Sequence, residues 1–485
     1  MNYSEFLKMG PEIVLVLALV IMFVADFILH KKESKSKSLF SLMVALMVIS
    51  LCGTFCTVGS HSEPVSAFGG LYIATPAVNV MKFILVFGSL IVVLMAQPWV
   101  EKTQRLAGEF YMLLISTLLG MFVMMSSGNF LLFFLGLETA SVPLACMVAF
   151  DKWKQNSAEG AAKYILVATF SSGVMLYGIS FLYAATGTLY FDDVAATISA
   201  SPLTIMGLVF FFSGLGFKIS LVPFHFWTAD TYEGAPTPVT GYLSVISKGA
   251  AAITLCIILM KVFQPLVYYW EYMLYIVIVL SITVANLFAI RQSELKRFMA
   301  FSSISQAGYI MLAVVGNSQL GVASLTYYVL VYIVANMAVF TVINVVEHRA
   351  QPMANGQSLT AISAYNGFYQ TNPKLSFLMT LALFSLAGIP PFAGMFSKFF
   401  VFMAAAEQGS AAAYFVVFIA LVNTVISLYY YLLIVKAMYI TKTDTPLPTF
   451  KSDFNTKAAL AICTAGVALF GICSCIYEWI AAAGL

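Results

Sequence analysis

The sequence predicts an all-α, polytopic membrane protein, and three features predict it. Of its 485 residues 61% are hydrophobic and 9% charged, whereas a soluble domain is about half apolar and roughly a quarter charged. Its 24 Lys+Arg and 21 Asp+Glu are too few to give so long a chain a water-facing surface. Apolar runs of about 20 residues recur from end to end, each long enough to cross ~30 Å of hydrocarbon. The alternating pattern at ~10-residue spacing that marks a membrane β-barrel is absent.

Fourteen spans follow in order, at about 11–29, 38–57, 75–96, 109–127, 129–149, 160–185, 202–226, 236–260, 268–290, 298–316, 320–346, 375–405, 411–440 and 458–480. The first follows "MNYSEFLKMG", which lacks a cleavage-type small-residue site, so it reads as a retained helix rather than a removable signal peptide. An even count puts both termini on one side of the membrane. The distribution of basic residues tests that count. With the odd-to-even loops inside, Lys31, Lys32, Lys35, Lys37, Lys102, Arg105, Lys152, Lys154 and Lys163 face the cytoplasm. Arg291, Lys296, Arg297, Arg349, Lys374, Lys436, Lys442, Lys451 and Lys457 join them, against only Lys8 and Lys261 opposite. A missed or invented span would scramble that asymmetry. The expectation is a multi-pass protein of the cell's inner membrane with both termini periplasmic.

No soluble domain fits. The longest polar connection, about 347–374, reads as a cytoplasmic loop, and "YFDDVAATISASP" as an outer loop without a basic residue. The seven cysteines lie within apolar runs and form no CxxC or Cys/His cluster, which argues against disulfides, zinc and iron–sulfur ligation. "SGLGFK" has no preceding strand and is not a dinucleotide fingerprint; no Walker loop or haem-attachment motif occurs. Nothing points to nucleic acid.

Four lysines remain inside the spans: Lys82, Lys218, Lys248 and Lys398. One carboxylate, Glu138 in "FFLGLETASVPL", sits near mid-span. A charge at that depth costs at least ~2.5–3.5 kcal/mol and normally faces the bundle interior or an ion pathway. Lys82, nearer a helix end, has two readings: a structural or snorkelling lysine, or a functional one. For Lys218, Lys248 and Lys398 the functional reading is stronger, because packing hardly explains three central lysines in three helices. Burial disfavours the charged amine and a nearby carboxylate restores it, so a lysine whose partner approaches and retreats can load and release a proton. Glu138 is the expected partner.

Local residues agree. Pro223 follows Lys218 in span 7, and "SLAGIPPFAGMFSKFF" places Pro390 and Pro391 before Lys398 in span 12. Proline removes a backbone hydrogen bond, and broken membrane helices are tolerated where they line a cavity. His225 is either a candidate relay or a packing residue. Ser302, Ser303, Ser305 and Gln306 in span 10 either support a water chain or bond across helices. The chain carries no evident energy source, yet moving a proton against ~150 mV costs roughly 3.5 kcal/mol. Another gradient or a partner must supply it.

"HFWTADTYEGAPTPVTGYLSVISKGAA" closely resembles the signature of the N-type, antiporter-like membrane subunits of proton-translocating NADH–quinone oxidoreductase, respiratory complex I. "LGLETASVPL", "RQSELKRFMAFSSISQAGY" and "SLAGIPPFAGMFSKFFVF" extend the resemblance along the chain. Ala229 departs from it, standing where proline is expected in what reads as a loop. The resemblance implies two inverted five-helix repeats, spans 4–8 and 9–13, with helices 7 and 12 broken. It divides the chain into an N-terminal three-helix segment (1–106), a first repeat (107–262), a second (263–445) and a C-terminal helix (446–485). It implies that Glu138 pairs with Lys218, that Lys248 is a central relay and Lys398 the distal site, and that "DTYEGAPTP" is the cytoplasmic turn joining the lysine helices. The chain then binds no cofactor; NADH, FMN, iron–sulfur clusters and quinone belong to partner subunits, membrane and peripheral. Two alternatives stay open. One is a cation/proton antiporter or a membrane-bound hydrogenase-type complex; the other is a membrane scaffold without transport.

Overall fold

Every apolar run folds as helix, and the departures from regular helix are confined to a few places. The computed structural model describes residues 3–29, 35–60, 63–103, 106–349, 358–443, 446–473 and 475–484. Lys31, Lys32, Arg105 and residues 350–357 of the long polar connection lie outside them. Spans 1–6 are the helices Gly10–Ile28, Lys35–Ser60, Pro76–Thr103, Ala107–Met125, Phe130–Val148 and Gln155–Thr186. Spans 9, 10, 11 and 13 are Val267–Ile290, Leu295–Val315, Gln319–Arg349 and Ala411–Tyr439. Span 14 is Phe454–Ile472, and a separate helix, Cys475–Gly484, follows where a single run to 480 was expected.

Spans 7 and 12 are broken. The first half of span 7, Pro202–Ile219, opens on a capping box between Ser201 and Thr204. It closes on Ser220, whose φ of 66° is left-handed and ends the helix. The chain then crosses Leu221–Phe226 without regular helix and resumes as Trp227–Gly234. Pro223 therefore lies in the break, not within a helix. "DTYEG" ends the second half-helix, so the expected turn shrinks to Ala235 and Pro236 before the helix Thr237–Tyr242. Ala229 is accordingly helical, not in a loop. Its polar composition hid this half-helix in the sequence. Span 12 breaks where proline suggests, between Pro373–Ala387 and Ala393–Glu407. Gly388 (φ +90°) ends the first half, a conformation open to glycine without steric cost. Span 8 has a third irregularity: Leu243–Ser247 is π-helical and leads directly into Lys248–Lys261.

The apolar stretches of spans 10 and 11 are enclosed, those of spans 3 and 8 nearly so, while spans 1 and 13 form the rim. Ser302, Ser303, Ser305 and Gln306 on span 10 are accordingly buried. Spans 4 and 5 approach closely at Gly120 and Gly136, where a Cβ on either would stand 2.4 Å from a backbone nitrogen of the other helix.

Carboxylates gather the basic residues expected on one face. Lys163 and Arg297 both bind Asp230, at 2.6 and 2.7 Å, Arg297 also binds Glu233, and Lys154 reaches Asp151 and Glu347. Lys261, expected opposite, pairs at 2.7 Å with Asp192, which lies in the short helix Phe191–Thr197 where a loop was expected.

Candidate functional site

Irregular backbone adjoins each of the three central lysines. Lys218 is the penultimate residue of the first half of span 7, Lys248 follows the π-helical turn, and Lys398 lies in the first turns of the second half of span 12. All three are buried.

Lys218 Nζ donates to Ser141 Oγ at 2.7 Å and to Tyr164 OH at 3.3 Å. Tyr164 packs edge-on to Trp227 at 5.1 Å, and Trp227 Nε1 donates to the Phe217 carbonyl, so the second half-helix closes over the lysine. Glu138 stands one turn before Ser141 on span 5. It is half-buried and makes no ion pair with Lys218 in this conformation, the amine being held by Ser141 and Tyr164 instead.

Lys248 Nζ donates to Ser303 Oγ at 2.7 Å and lies 5.6 Å from the Tyr232 ring centroid. Ser303 also meets Tyr232 OH at 3.3 Å. From Ser303 the polar row of span 10 continues toward span 12. Ser302 Oγ and Tyr431 OH are 2.5 Å apart, and Gln306 Nε2 donates to Tyr431 OH and to the Leu386 carbonyl, both at 3.2 Å. Tyr328 OH donates to Gln306 Oε1. Ser302, Ser303 and Gln306 therefore bond across helices, which answers one of the two readings of this row; Ser305 Oγ is buried without a partner.

A small cavity joins Gln306, Tyr328, Tyr332, Ser385 and Ser397 to Lys398. The Lys398 amine donates to the Ala387 carbonyl at 3.0 Å and lies 4.9 Å from the Tyr309 ring centroid. Ala387 is the last residue of its half-helix, where carbonyls lack intrahelical partners and the helix dipole is negative. The break in span 12 thus makes the acceptor that receives the lysine. His225 lies in the break of span 7, buried, its ring 4.6 Å from Phe226.

Lys82 differs. Its amine donates to Glu12 Oε1 at 2.6 Å and to Tyr72 OH at 3.1 Å, and Tyr72 OH donates to Glu12 Oε2 at 3.1 Å. Both charges are buried. Tyr72 comes from a short antiparallel pair, Val65–Ala67 with Tyr72–Ala74, that folds between spans 2 and 3. Of the arrangements open to Lys82, the structure shows a buried ion pair, not a snorkelling amine. Glu12, not singled out in the sequence, is a buried carboxylate paired with a lysine. Its only signal in the sequence was an acidic residue at the start of the first apolar run.

Comparisons with known proteins give the family. The family model described as "NADH:quinone oxidoreductase/Mrp antiporter, TM" matches residues 127–427. NADH-quinone oxidoreductase subunit N of Phocaeicola vulgatus is 54% identical over 99% of this chain and 98% of its own. The chain belongs to the subunit N family of NADH-quinone oxidoreductases. A second subunit N relative, from Azobacteroides pseudotrichonymphae, is 49% identical over 99% of this chain and 98% of its own. A chain of respiratory complex I from Thermus thermophilus superposes with a TM-score of 0.79 at 29% identity, covering 95% of this chain and 97% of that one. A chain of the Mrp complex from Dietzia shares the fold at a TM-score of 0.85 and 18% identity, covering 100% and 97%. Among the described residues of this chain, no three His, Cys, Asp or Glu side chains come together as a metal site.

Proposed function

We propose that this chain is the proton-translocating membrane subunit N of an NADH-quinone oxidoreductase, moving protons through a buried relay of Glu138, Lys218, Lys248 and Lys398. It assembles with the other membrane and peripheral subunits of that complex. One observation carries the reading: Lys218, Lys248 and Lys398 are held by neutral oxygens, whereas Lys82 is held by a carboxylate. A lysine on a hydroxyl or carbonyl keeps a hydrogen bond whether its amine is charged or neutral. It can give up a proton without stranding a buried anion. A lysine locked to Glu12 cannot.

In this reading Glu138 biases Lys218 by approaching or withdrawing, since a nearby carboxylate favours the charged amine. Ser303 holds Lys248 at one end of the polar row on span 10, and Gln306 lines the cavity at Lys398 at the other. His225 remains a candidate relay. NADH, FMN, iron–sulfur clusters and quinone are assigned to partner subunits, which drive the relay. The two halves, spans 4–8 and 9–13, are read as inverted repeats, supported by a broken helix and a lysine in each. The basic face is placed in the cytoplasm and both termini in the periplasm of an inner membrane.

The test is NADH-driven proton uptake by vesicles containing the assembled complex, measured beside NADH oxidation. Replacing Lys218, Lys248 and Lys398 together by Met should slow NADH-driven proton uptake tenfold or more, on the order of what a lost proton-transfer group costs. Wild-type uptake at matched complex content overturns the relay. The chain reconstituted alone with NADH and quinone should neither oxidise NADH nor build a gradient. Sodium-dependent proton exchange by the isolated chain would favour the antiporter reading instead.

A further inference from the structure

A large groove opens between spans 12 and 14 at the end of the bundle where both helices begin. The start of Pro373–Ala387, the start of Phe454–Ile472 and the segment 449–452 line it. Asn372 builds its wall. The Asn372 amide nitrogen donates to the Pro448 carbonyl at 2.9 Å, and its oxygen accepts from the Phe450 N–H at 2.9 Å, pinning the connecting segment across the start of span 12.

The groove has two zones. At its mouth stand Lys374, Lys451 and Lys457, all exposed, and none is ion-paired among the described residues. This sets them apart from Lys154, Lys163 and Arg297 on the expected same face, which are bound to carboxylates. The mouth also receives the first turns of two helices, whose free N–H groups and dipoles favour an anion. Deeper in, the lining turns apolar, with Leu375 and Leu378 on one side and Leu460, Ala461 and Ala465 on the other. Along span 14 the lining runs from Lys457 to Ala465; at 1.5 Å per residue that is ~12 Å into the hydrocarbon.

We propose that this groove is a specific site for an anionic phospholipid of the leaflet at the basic face, its phosphate among Lys374, Lys451 and Lys457 and an acyl chain between spans 12 and 14. A basic pocket between membrane helices with an apolar floor matches that chemistry and no soluble ligand: a free phosphate has nothing to place along the apolar walls, and a zwitterionic lipid leaves the lysines uncompensated. The site abuts the first half of span 12, whose far end carries the Ala387 carbonyl under Lys398. A lipid seated there braces the broken helix from outside the relay.

The test is photolabelling of the purified, delipidated complex. Phosphatidylglycerol with a photoactivatable acyl chain is compared with phosphatidylcholine carrying the same chain, and labelled peptides from 371–378 and 446–465 are quantified. Phosphatidylglycerol should label them at least about tenfold more strongly, and the Lys374→Gln/Lys451→Gln/Lys457→Gln variant should lose that advantage, since these lysines supply the attraction to the anionic headgroup. Ala461→Trp, which narrows the apolar zone and keeps the lysines, should lower labelling by both lipids. Equal labelling by the two lipids overturns the proposal. So does unchanged labelling in the triple variant, displacement by millimolar inorganic phosphate, or protection of both peptides from any lipid by another subunit. Labelling is read without turnover, so the site can fail while the proton relay stands, or the reverse.

Discussion

Lys218 donates to Ser141 Oγ at 2.7 Å, one turn of span 5 away from Glu138. Serine and glutamate present themselves on one helix face three residues apart, so the amine can pass from a neutral acceptor to a charged one by a side-chain swing. The structure holds the neutral contact. An amine on Ser141 is freer to lose its proton than one on Glu138.

This geometry sets the first prediction. Glu138→Gln should leave the complex assembled, with Lys218 kept on Ser141, and slow NADH-driven proton uptake roughly tenfold or more, in keeping with the loss of a proton-transfer partner. Glu138→Asp, which keeps charge but shortens reach, should be milder. Ser141→Ala should also slow uptake, by holding the lysine charged on Glu138. If Glu138→Gln pumps at the wild-type rate at matched complex content, Glu138 is a counter-ion only.

Some of this was legible in the chain and some was not, for physical reasons. Span positions follow from hydropathy, and the span 12 break from two adjacent prolines that cannot continue a helix. In span 7 Pro223 pointed to a break, but the helix already ends at Ser220, and the polar half-helix Trp227–Gly234 looked like a loop. Its Asp230 and Glu233 are served by Lys163 and Arg297 from two other spans, and pairing between distant helices leaves no local pattern. Glu12 was missed for the same reason: its partner Lys82 lies 70 residues away. The span 10 row was visible as polarity, but only the fold shows its partners to be Lys248, Tyr431 and the Leu386 carbonyl.

The Glu12–Lys82 pair supports a stability prediction. Both charges are buried, so removing one strands the other, at a cost of roughly 3–5 kcal/mol. Lys82→Met and Glu12→Gln should each lower the thermal stability of the complex markedly, while the double variant recovers much of it. Proton uptake per NADH in whatever complex assembles should be unchanged. Equal damage by the double and single variants would deny the pairing.

Gly136→Ala tests whether relay geometry depends on helix approach. A Cβ there would stand 2.4 Å from the Met124 nitrogen, so spans 4 and 5 must part. Such overpacking costs about 1–3 kcal/mol. It also shifts Glu138, two residues along, relative to Lys218. The expected outcome is lower stability together with slower pumping. Wild-type stability in a thermal unfolding assay would show that the two helices can separate at no cost.

Lys398 allows the cleanest separation of structure from proton transfer. Its amine caps the Ala387 carbonyl across the break in span 12, and its aliphatic stem lies against Gly388, where a Cβ would meet the lysine Cδ at 3.1 Å. A purely structural lysine needs only the positive charge and the hydrogen bond. Lys398→Arg keeps both, but guanidinium does not release its proton in proteins. A proton carrier fails in that variant, while a cap survives. The prediction is that Lys398→Arg assembles and yet moves protons at least about tenfold more slowly, as expected for a lost transfer group. Lys398→Met, which loses the cap as well, should pump no better and be less stable. Native gels give the assembly, and NADH oxidation measured beside proton uptake gives the coupling. Wild-type uptake in the arginine variant assigns Lys398 to the helix end, and the relay then stops short of span 12.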